Sequence, residues 1–244
     1  NRKDIIKRAK KLDENYFRDL QTWFNLVWID PLFIKEDEFL KNLILKNRDF
    51  TEEEKLQVLK KHIEIIKKIL PKYKEMADKK QIEVSTTPFY HPILPILIDS
   101  NIAKIASIKN RKNSSEKFSA KIDADKQVAN ALNLYKKVFN EKPKGMWPSE
   151  GALSNETLNL ILEKGINWVA TDMDILKKSA GRELSRTHLY KPYRFKDTEL
   201  LVFFRDKELS DAIGFRYSSM NPEDAVNDFF WHLYEIKNAI LEIT

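Results

Sequence analysis

A chain of 244 residues, 42% hydrophobic and carrying 14 Phe, 8 Tyr and 5 Trp, has the apolar content for one large domain or two small ones. The absence of cysteine excludes a disulfide framework and any thiolate nucleophile or metal ligand, and it suits a reducing cytoplasm, the expected location. The net charge of +6, from 43 basic and 37 acidic residues, is interleaved along helical segments such as Lys60 to Lys68 instead of gathered on one stripe, so no nucleic-acid partner is expected.

No apolar run approaches the roughly 20 residues that cross a bilayer, so no membrane span is expected. Asn1-Arg2-Lys3-Asp4 leads straight into an amphipathic pattern, with neither a secretory leader nor an initiator Met. The chain is therefore expected to be a piece of a longer protein. Residues 1–80 read as helical. Ile5, Ile6, Ala9 and Leu12 keep helical spacing, as do Phe39, Leu40 and Leu43. Thr51 and Glu54 form a capping box, opening a helix that carries Leu56, Leu59, Ile63, Ile66 and Leu70 on one face and stops near Pro71. The aromatic stretch Gln21 to Pro31, which includes Trp23, is less clearly helical.

From Ile82 the texture changes. Ile82 to Thr87 alternates and is β-branched, which predicts a strand, and residues 109–125 are polar and predict a surface loop. A helix is predicted from Ala124 to Phe139, then a short strand ending at Trp147-Pro148-Ser149-Glu150. Ser154 is placed to cap a helix over Glu156 to Glu163, with Gly165 just past its end. Strands follow at Ile166 to Asp172 and Leu200 to Asp206, with a shorter one at Ile213 to Tyr217. Asn221-Pro222-Glu223-Asp224 opens a last helix, with an Asn cap, Pro in the first turn and acids at the positive end of the dipole. Alternating strands and helices imply crossover connections and a parallel sheet, an α/β fold. No linker interrupts residues 81–244, so these form one domain behind a helical N-terminal segment, residues 1–80.

Ligands of parallel barrels are handled at the carboxyl ends of the strands. The polar groups there are His91, Glu150, Asp172 and Asp206. Glu150 follows Trp147-Pro148 and precedes Gly151; the indole offers a flat apolar face for a sugar ring, and the carboxylate could attack an anomeric carbon. The same glutamate could instead cap the helix beginning near Ser154. His91 sits among Pro88, Pro92 and Pro95, which stiffen the chain, and could either bond sugar hydroxyls or be a buried, satisfied histidine. Asp172 and Asp206 could accept bonds from substrate or act as a second carboxylate; a strand-end aspartate more often caps the next helix or pairs with an arginine, and Arg205 sits beside Asp206. The four histidines are scattered without a zinc-binding spacing, so no metal is expected, and no glycine-rich phosphate loop is present.

Taken together, these segments resemble glycoside hydrolase family 57, on its α-amylase and amylopullulanase side. Gln81 to Pro95 is similar to the family's second signature region. Gly145-Met146-Trp147-Pro148-Ser149-Glu150-Gly151 resembles the third, whose glutamate is the nucleophile. Asn167 to Asp172, Phe203 to Phe215 and Gln21 to Pro31 are similar to further family stretches, in the right order. The resemblance implies a distorted seven-stranded β/α barrel, here partial, and a retaining mechanism on α-1,4-linked or α-1,6-linked glucans with Glu150 as nucleophile and no organic cofactor. The implied substrate contacts are His91, Trp147, Tyr90, Asp172, Asp206 and Trp23.

Two parts of the family pattern have no counterpart: the His-Gln-Pro of the first region and the Asp-Gly-Glu context of the fourth, which supplies the acid/base. Both are expected outside this chain, the second just beyond Thr244, and residues 1–244 alone are expected to turn over poorly. The alternative is a glucan-binding relative that has lost catalysis. Related metal-dependent deacetylases and mannosidases fit less well, because no Asp/His cluster is visible.

Overall fold

The computed structural model describes residues 12–106, 117–181 and 183–241. The predicted helical positions Ile5, Ile6 and Ala9, and residues 109–116 of the predicted loop, lie outside the described residues. The chain divides into two compact units, Asn1–Gln81 and Ile82–Thr244.

The first unit is helical: α1 (Glu14–Leu26), α2 (Pro31–Glu36), α3 (Glu38–Lys46) and α4 (Glu52–Asp78). Asp13, Asp30, Asp37 and Thr51 each accept a bond from a first-turn amide, which satisfies donors that a helix leaves open. The predicted Thr51–Glu54 capping box is present. The aromatic stretch read as doubtful is mostly helix, with Leu26 closing α1. Leu26, Ile29, Leu40, Leu43, Phe50 and Val58 form the core.

Two expectations fail in α4. It runs through Pro71 to Asp78, because proline removes one intrahelical bond and the turn before it is exposed, so water can take the freed carbonyl. Lys74–Asp78 and Glu75–Lys79 pairs support the helix beyond it. The helix also gives the core Val58 and Ile65, whereas the predicted stripe of Leu56, Leu59, Ile63, Ile66 and Leu70 is exposed.

The second unit is mixed α/β. In chain order it contains α5 (Leu94–Ile98), α6 (Ala103–Ala106), α7 (Lys121–Phe139), β1 (Gly145–Met146), α8 (Asn155–Glu163), β2 (Trp168–Asp172), α9 (Met173–Ala180), β3 (Tyr193–Arg194), β4 (Leu201–Arg205), α10 (Lys207–Asp211) and α11 (Pro222–Leu241). Sheet order is β1-β2-β4-β3, with the first three parallel and β3 antiparallel to β4. Met146, Ile161, Val169 and Leu200 are fully buried at its centre, with Val128 of α7 and Leu94 of α5 against them. Ser154 caps α8 through the Thr157 amide, and Asn221 receives the Glu223 amide ahead of α11, as their residue types predict.

The predicted strand at Ile82 to Thr87 reduces to a single parallel bridge, Thr86 to Met146. Prolines follow both segments, Pro88 and Pro148, and each removes the amide that would continue the ladder. The predicted strand at Ile213 to Tyr217 is helical instead, a π turn over Ala212–Arg216 and a 3₁₀ turn over Tyr217–Ser219. It continues directly from α10, which Asp206 caps, and Ile213 and Phe215 are exposed without a sheet partner. No residue of α11 is fully buried; one face, with Ala225, Phe229, His232 and Ile236, is half-buried. No helix among the described residues is long and apolar enough to cross a membrane.

Candidate active site

Register decides what meets at the carboxyl edge of the sheet. Thr86 donates its amide to the Gly145 carbonyl (3.0 Å), and the Trp147 amide donates to the Thr86 carbonyl (2.8 Å). The two chains leave the sheet side by side, one through Pro88 to His91 and the other through Pro148 to Gly151. Asp172 and Arg205, paired across β2 and β4, end their strands at the same edge.

Glu150 occupies a tight turn in the left-handed region (φ 56°, ψ 19°), and Gly151 follows at φ 65°. A non-glycine residue held there costs about 1–3 kcal/mol, a strain that surrounding contacts must hold in place. The turn has such contacts. The Gly151 amide donates to the Pro148 carbonyl at 2.8 Å, and the buried Thr171 hydroxyl donates to the Gly151 carbonyl at 2.5 Å. A Cβ at position 151 would stand 3.4 Å from the Asp172 amide and 3.5 Å from the Trp147 ring, so strand β2 and the indole enclose the turn closely. Ser149 beside it is buried with its hydroxyl unpaired.

The result is an unencumbered carboxylate. The Glu150 side chain is 74% exposed, and no lysine or arginine among the described residues lies within ion-pair distance of it. The half-exposed His91 stands beside it, with Nδ1 4.0 Å from Oε1. Glu150 caps no helix; Ser154 performs that task for α8.

His91 is likewise left-handed, at φ 56°, and its amide donates to the Pro88 carbonyl at 2.9 Å. The preceding turn is tied to α7 through Gln127, whose carbonyl and side-chain oxygen accept the Phe89 and Tyr90 amides at 3.1 and 2.8 Å. Tyr90 is 79% exposed and meets Phe89 edge to face. His91 is not buried, and its ring has no hydrogen-bond partner among the described residues.

Asp172 and Asp206 both do what strand-end aspartates commonly do. Asp172 caps α9 through the Asp174 amide and accepts Arg205 Nε at 2.9 Å. Burial pushes its carboxyl up, but the Asp174 amide and the Arg205 guanidinium outweigh that and hold it below the usual carboxylate range. Asp206, only 7% exposed, caps α10 through Leu209 and takes bonds from Arg186 (2.9 Å) and the Tyr190 hydroxyl. Burial again acts upward, and Tyr190, Arg186 and the Leu209 amide together hold this carboxyl low as well. Tyr190 is pushed up to about 12 by burial and by the aspartate beside it.

The sequence suggested Arg205 for its neighbour Asp206; the register gives Arg205 to Asp172 and leaves Arg186 to Asp206. Arg205 also lies over the half-buried Trp147 ring, 5.5 Å from its centre. Glu150, His91, Tyr90, Trp147 and Asp172 thus surround one edge. Asp206 follows β4 there with its carboxylate committed. Trp23 belongs to the first unit, where its indole donates to the Asn47 carbonyl at 2.8 Å and meets Phe50 edge to face. Sequence reasoning missed Thr171 and Gln127 and gave Arg205 the wrong aspartate, because the partners of all three lie 20 to 37 residues away in the chain.

The sequence profile of glycosyl hydrolase family 57 matches residues 3–244. The chain belongs to that family. Among individual relatives, Alpha-amylase 1 of Dictyoglomus thermophilum is 33% identical over 101 residues, 41% of this chain and 12% of its own length. Two solved structures are similar to the chain. The α-amylase AmyC from Thermotoga maritima is 15% identical, covering 80% of this chain and 33% of its own, with a TM-score of 0.47. The 4-α-glucanotransferase from Thermococcus litoralis is 22% identical, covering 65% and 22%, also with a TM-score of 0.47. The chain therefore spans about an eighth of Alpha-amylase 1 and at most a third of these structures.

Proposed function

We propose that residues 1–244 are part of a retaining glycoside hydrolase or glucanotransferase of α-1,4-linked or α-1,6-linked glucans, with Glu150 as nucleophile. The observation that carries this reading is the free Glu150 carboxylate, raised on a strained turn beside Trp147 and His91 at the carboxyl edge of a parallel sheet. The sheet would be one side of a distorted seven-stranded β/α barrel formed by residues 81–244 and further chain, with residues 1–80 as a helical accessory unit.

In this reaction Glu150 attacks the anomeric carbon and forms a glycosyl ester while the bond to the leaving oxygen breaks. A general acid protonates that oxygen. Water, or a sugar hydroxyl in the transferase case, then displaces Glu150 as the same group takes its proton back. Trp147 and Tyr90 would supply apolar faces for sugar rings, and His91 would bond hydroxyls near the scissile linkage. Asp172 would accept from a sugar hydroxyl on the lone pairs that its cap and Arg205 leave free, whereas the enclosed Asp206 would support the edge by holding Arg186 and Tyr190.

Neither aspartate suits the acid role. A general acid must carry a proton near neutral pH, and both carboxyls are held below the ordinary range. The reading therefore assigns the acid/base to the parent protein beyond Thr244, and it expects residues 1–244 to cleave natural glucans poorly, since acid assistance contributes about 10²–10⁴-fold.

That division makes the proposal testable. Fluoride leaves a glycosyl carbon without being protonated, so an α-maltosyl fluoride needs the nucleophile and not the acid. The chain should release fluoride from it while leaving starch nearly untouched, and Glu150→Gln should abolish the release. Starch hydrolysis by this chain that survives Glu150→Gln would overturn the assignment. Sugar binding with no fluoride release would favour a glucan-binding relative without catalysis.

A further inference from the structure

Arg205 has no role in the reading above, yet it joins three strand ends. Its Nε donates to Asp172 at the end of β2, Nη1 reaches the Ser210 hydroxyl of α10 at 3.4 Å, and the guanidinium lies 5.5 Å from the centre of the Trp147 ring after β1. A guanidinium has five N–H donors in a rigid plane. One is spent on Asp172 and one weakly on Ser210, while both donors on Nη2 have no partner among the described residues. The side chain is 40% exposed, so it is open to solvent at the edge.

Such an arrangement differs from a structural ion pair, in which the fork is filled. Asp172 fixes the guanidinium plane, the plane fixes the indole by cation–π attraction, and two charge-assisted donors remain at the rim of the platform. Trp147 lies three residues before Glu150, and its ring edge closes on Gly151. A sugar seated against the indole next to Glu150 therefore comes within reach of Nη2.

We infer that Arg205 is a glucan-binding and positioning residue, holding Trp147 in place and donating Nη2 to hydroxyls of the sugar ring stacked there. This rests on the reading of the edge as an α-glucan site. Lysine cannot replace it, because a point charge on a flexible stem keeps the Asp172 pair but loses both the plane and the second donor.

The test is titration of the whole 244-residue chain with maltoheptaose, followed by calorimetry and by tryptophan fluorescence, alongside thermal melts. Arg205→Lys should melt close to the unaltered chain yet bind about tenfold or more weakly, the loss expected for one charge-assisted hydrogen bond. Arg205→Met should bind at least as weakly. The fluorescence change on binding should vanish in Trp147→Phe and be reduced in both Arg205 variants. Unaltered affinity in Arg205→Lys, with its melt preserved, would show a purely structural ion pair and overturn the inference while leaving the glucan reading intact. Failure of the unaltered chain to bind maltoheptaose would overturn both.

Discussion

The hydroxyl of Thr171 is one atom on which the shape of the Glu150 turn depends, and Thr171→Val removes it with almost no change in volume. Thr171 is fully buried on β2, and its hydroxyl donates to the carbonyl of Gly151, also buried, at 2.5 Å. Valine fills the same space, so no cavity term enters. What remains is a buried carbonyl without its donor, which costs about 1–3 kcal/mol. In a domain of this size each kcal/mol moves the melting point by roughly 2–4 °C. Because the chain has two units, a single global transition is not a safe readout. Hydrogen exchange resolved by mass spectrometry, on peptides covering Met146 to Ala152 and Trp168 to Asp172, reports the local effect. Protection there should fall by about 1–3 kcal/mol, equivalent to roughly five- to 150-fold faster exchange, and peptides of α1 to α4 should be unchanged. Thr171→Ser, which keeps the hydroxyl, should recover most of it. Fluoride release should fall in parallel, because a left-handed glutamate relaxes once its turn is loosened. Loss of protection with undiminished fluoride release would refute the link between this latch and the nucleophile; unchanged protection would refute the latch itself.

Gly145→Ala should be damaging for a different reason: its Cβ would lie 2.0 Å from the Trp168 ring, which is held by a 2.8 Å bond to Glu83 and by edge contact with Phe203. Displacing that ring should cost about 1–3 kcal/mol or more of stability, read in a urea titration of the second unit's transition. Acid should weaken the second unit through Asp206. A carboxyl whose folded pKa is depressed contributes stability that is present above its unfolded value, near 3.9, and is lost as pH falls through the folded value. Urea midpoints of the unaltered chain should therefore drop below about pH 4, and Asp206→Asn should be less stable at neutral pH with a shallower acid slope.

Local chemistry was the legible part of the sequence. The Thr51–Glu54 box, Ser154 and Asn221 mark helix starts through bonds to amides two or three residues away, so sequence spacing alone is enough. Glu150 stood out because its strand end, its tryptophan and its glycine are contiguous. Failures arose where long-range partners or solvent decide. Pro71 reads as a stop, but an exposed helix tolerates one missing bond. Ile82 to Thr87 reads as a strand, but β1 offers it only one residue of pairing before Pro148. Ile213 to Tyr217 has a β-like composition, but α10 winds directly into it. The pairing of Arg205 with Asp172 follows from the β2–β4 register, which places them opposite one another 33 residues apart, a relation no local pattern reveals.

Everything above about catalysis converges on whether the carboxylate at position 150 bonds covalently to a sugar. A 5-fluoro-α-glucosyl fluoride forms such an ester and then turns over slowly, so intact mass spectrometry followed by peptide mapping can catch it. The account predicts one glycosyl adduct on the peptide containing Ser149-Glu150-Gly151, absent from Glu150→Gln. An adduct located on Asp172 or Asp206, or one that persists in Glu150→Gln, would contradict it.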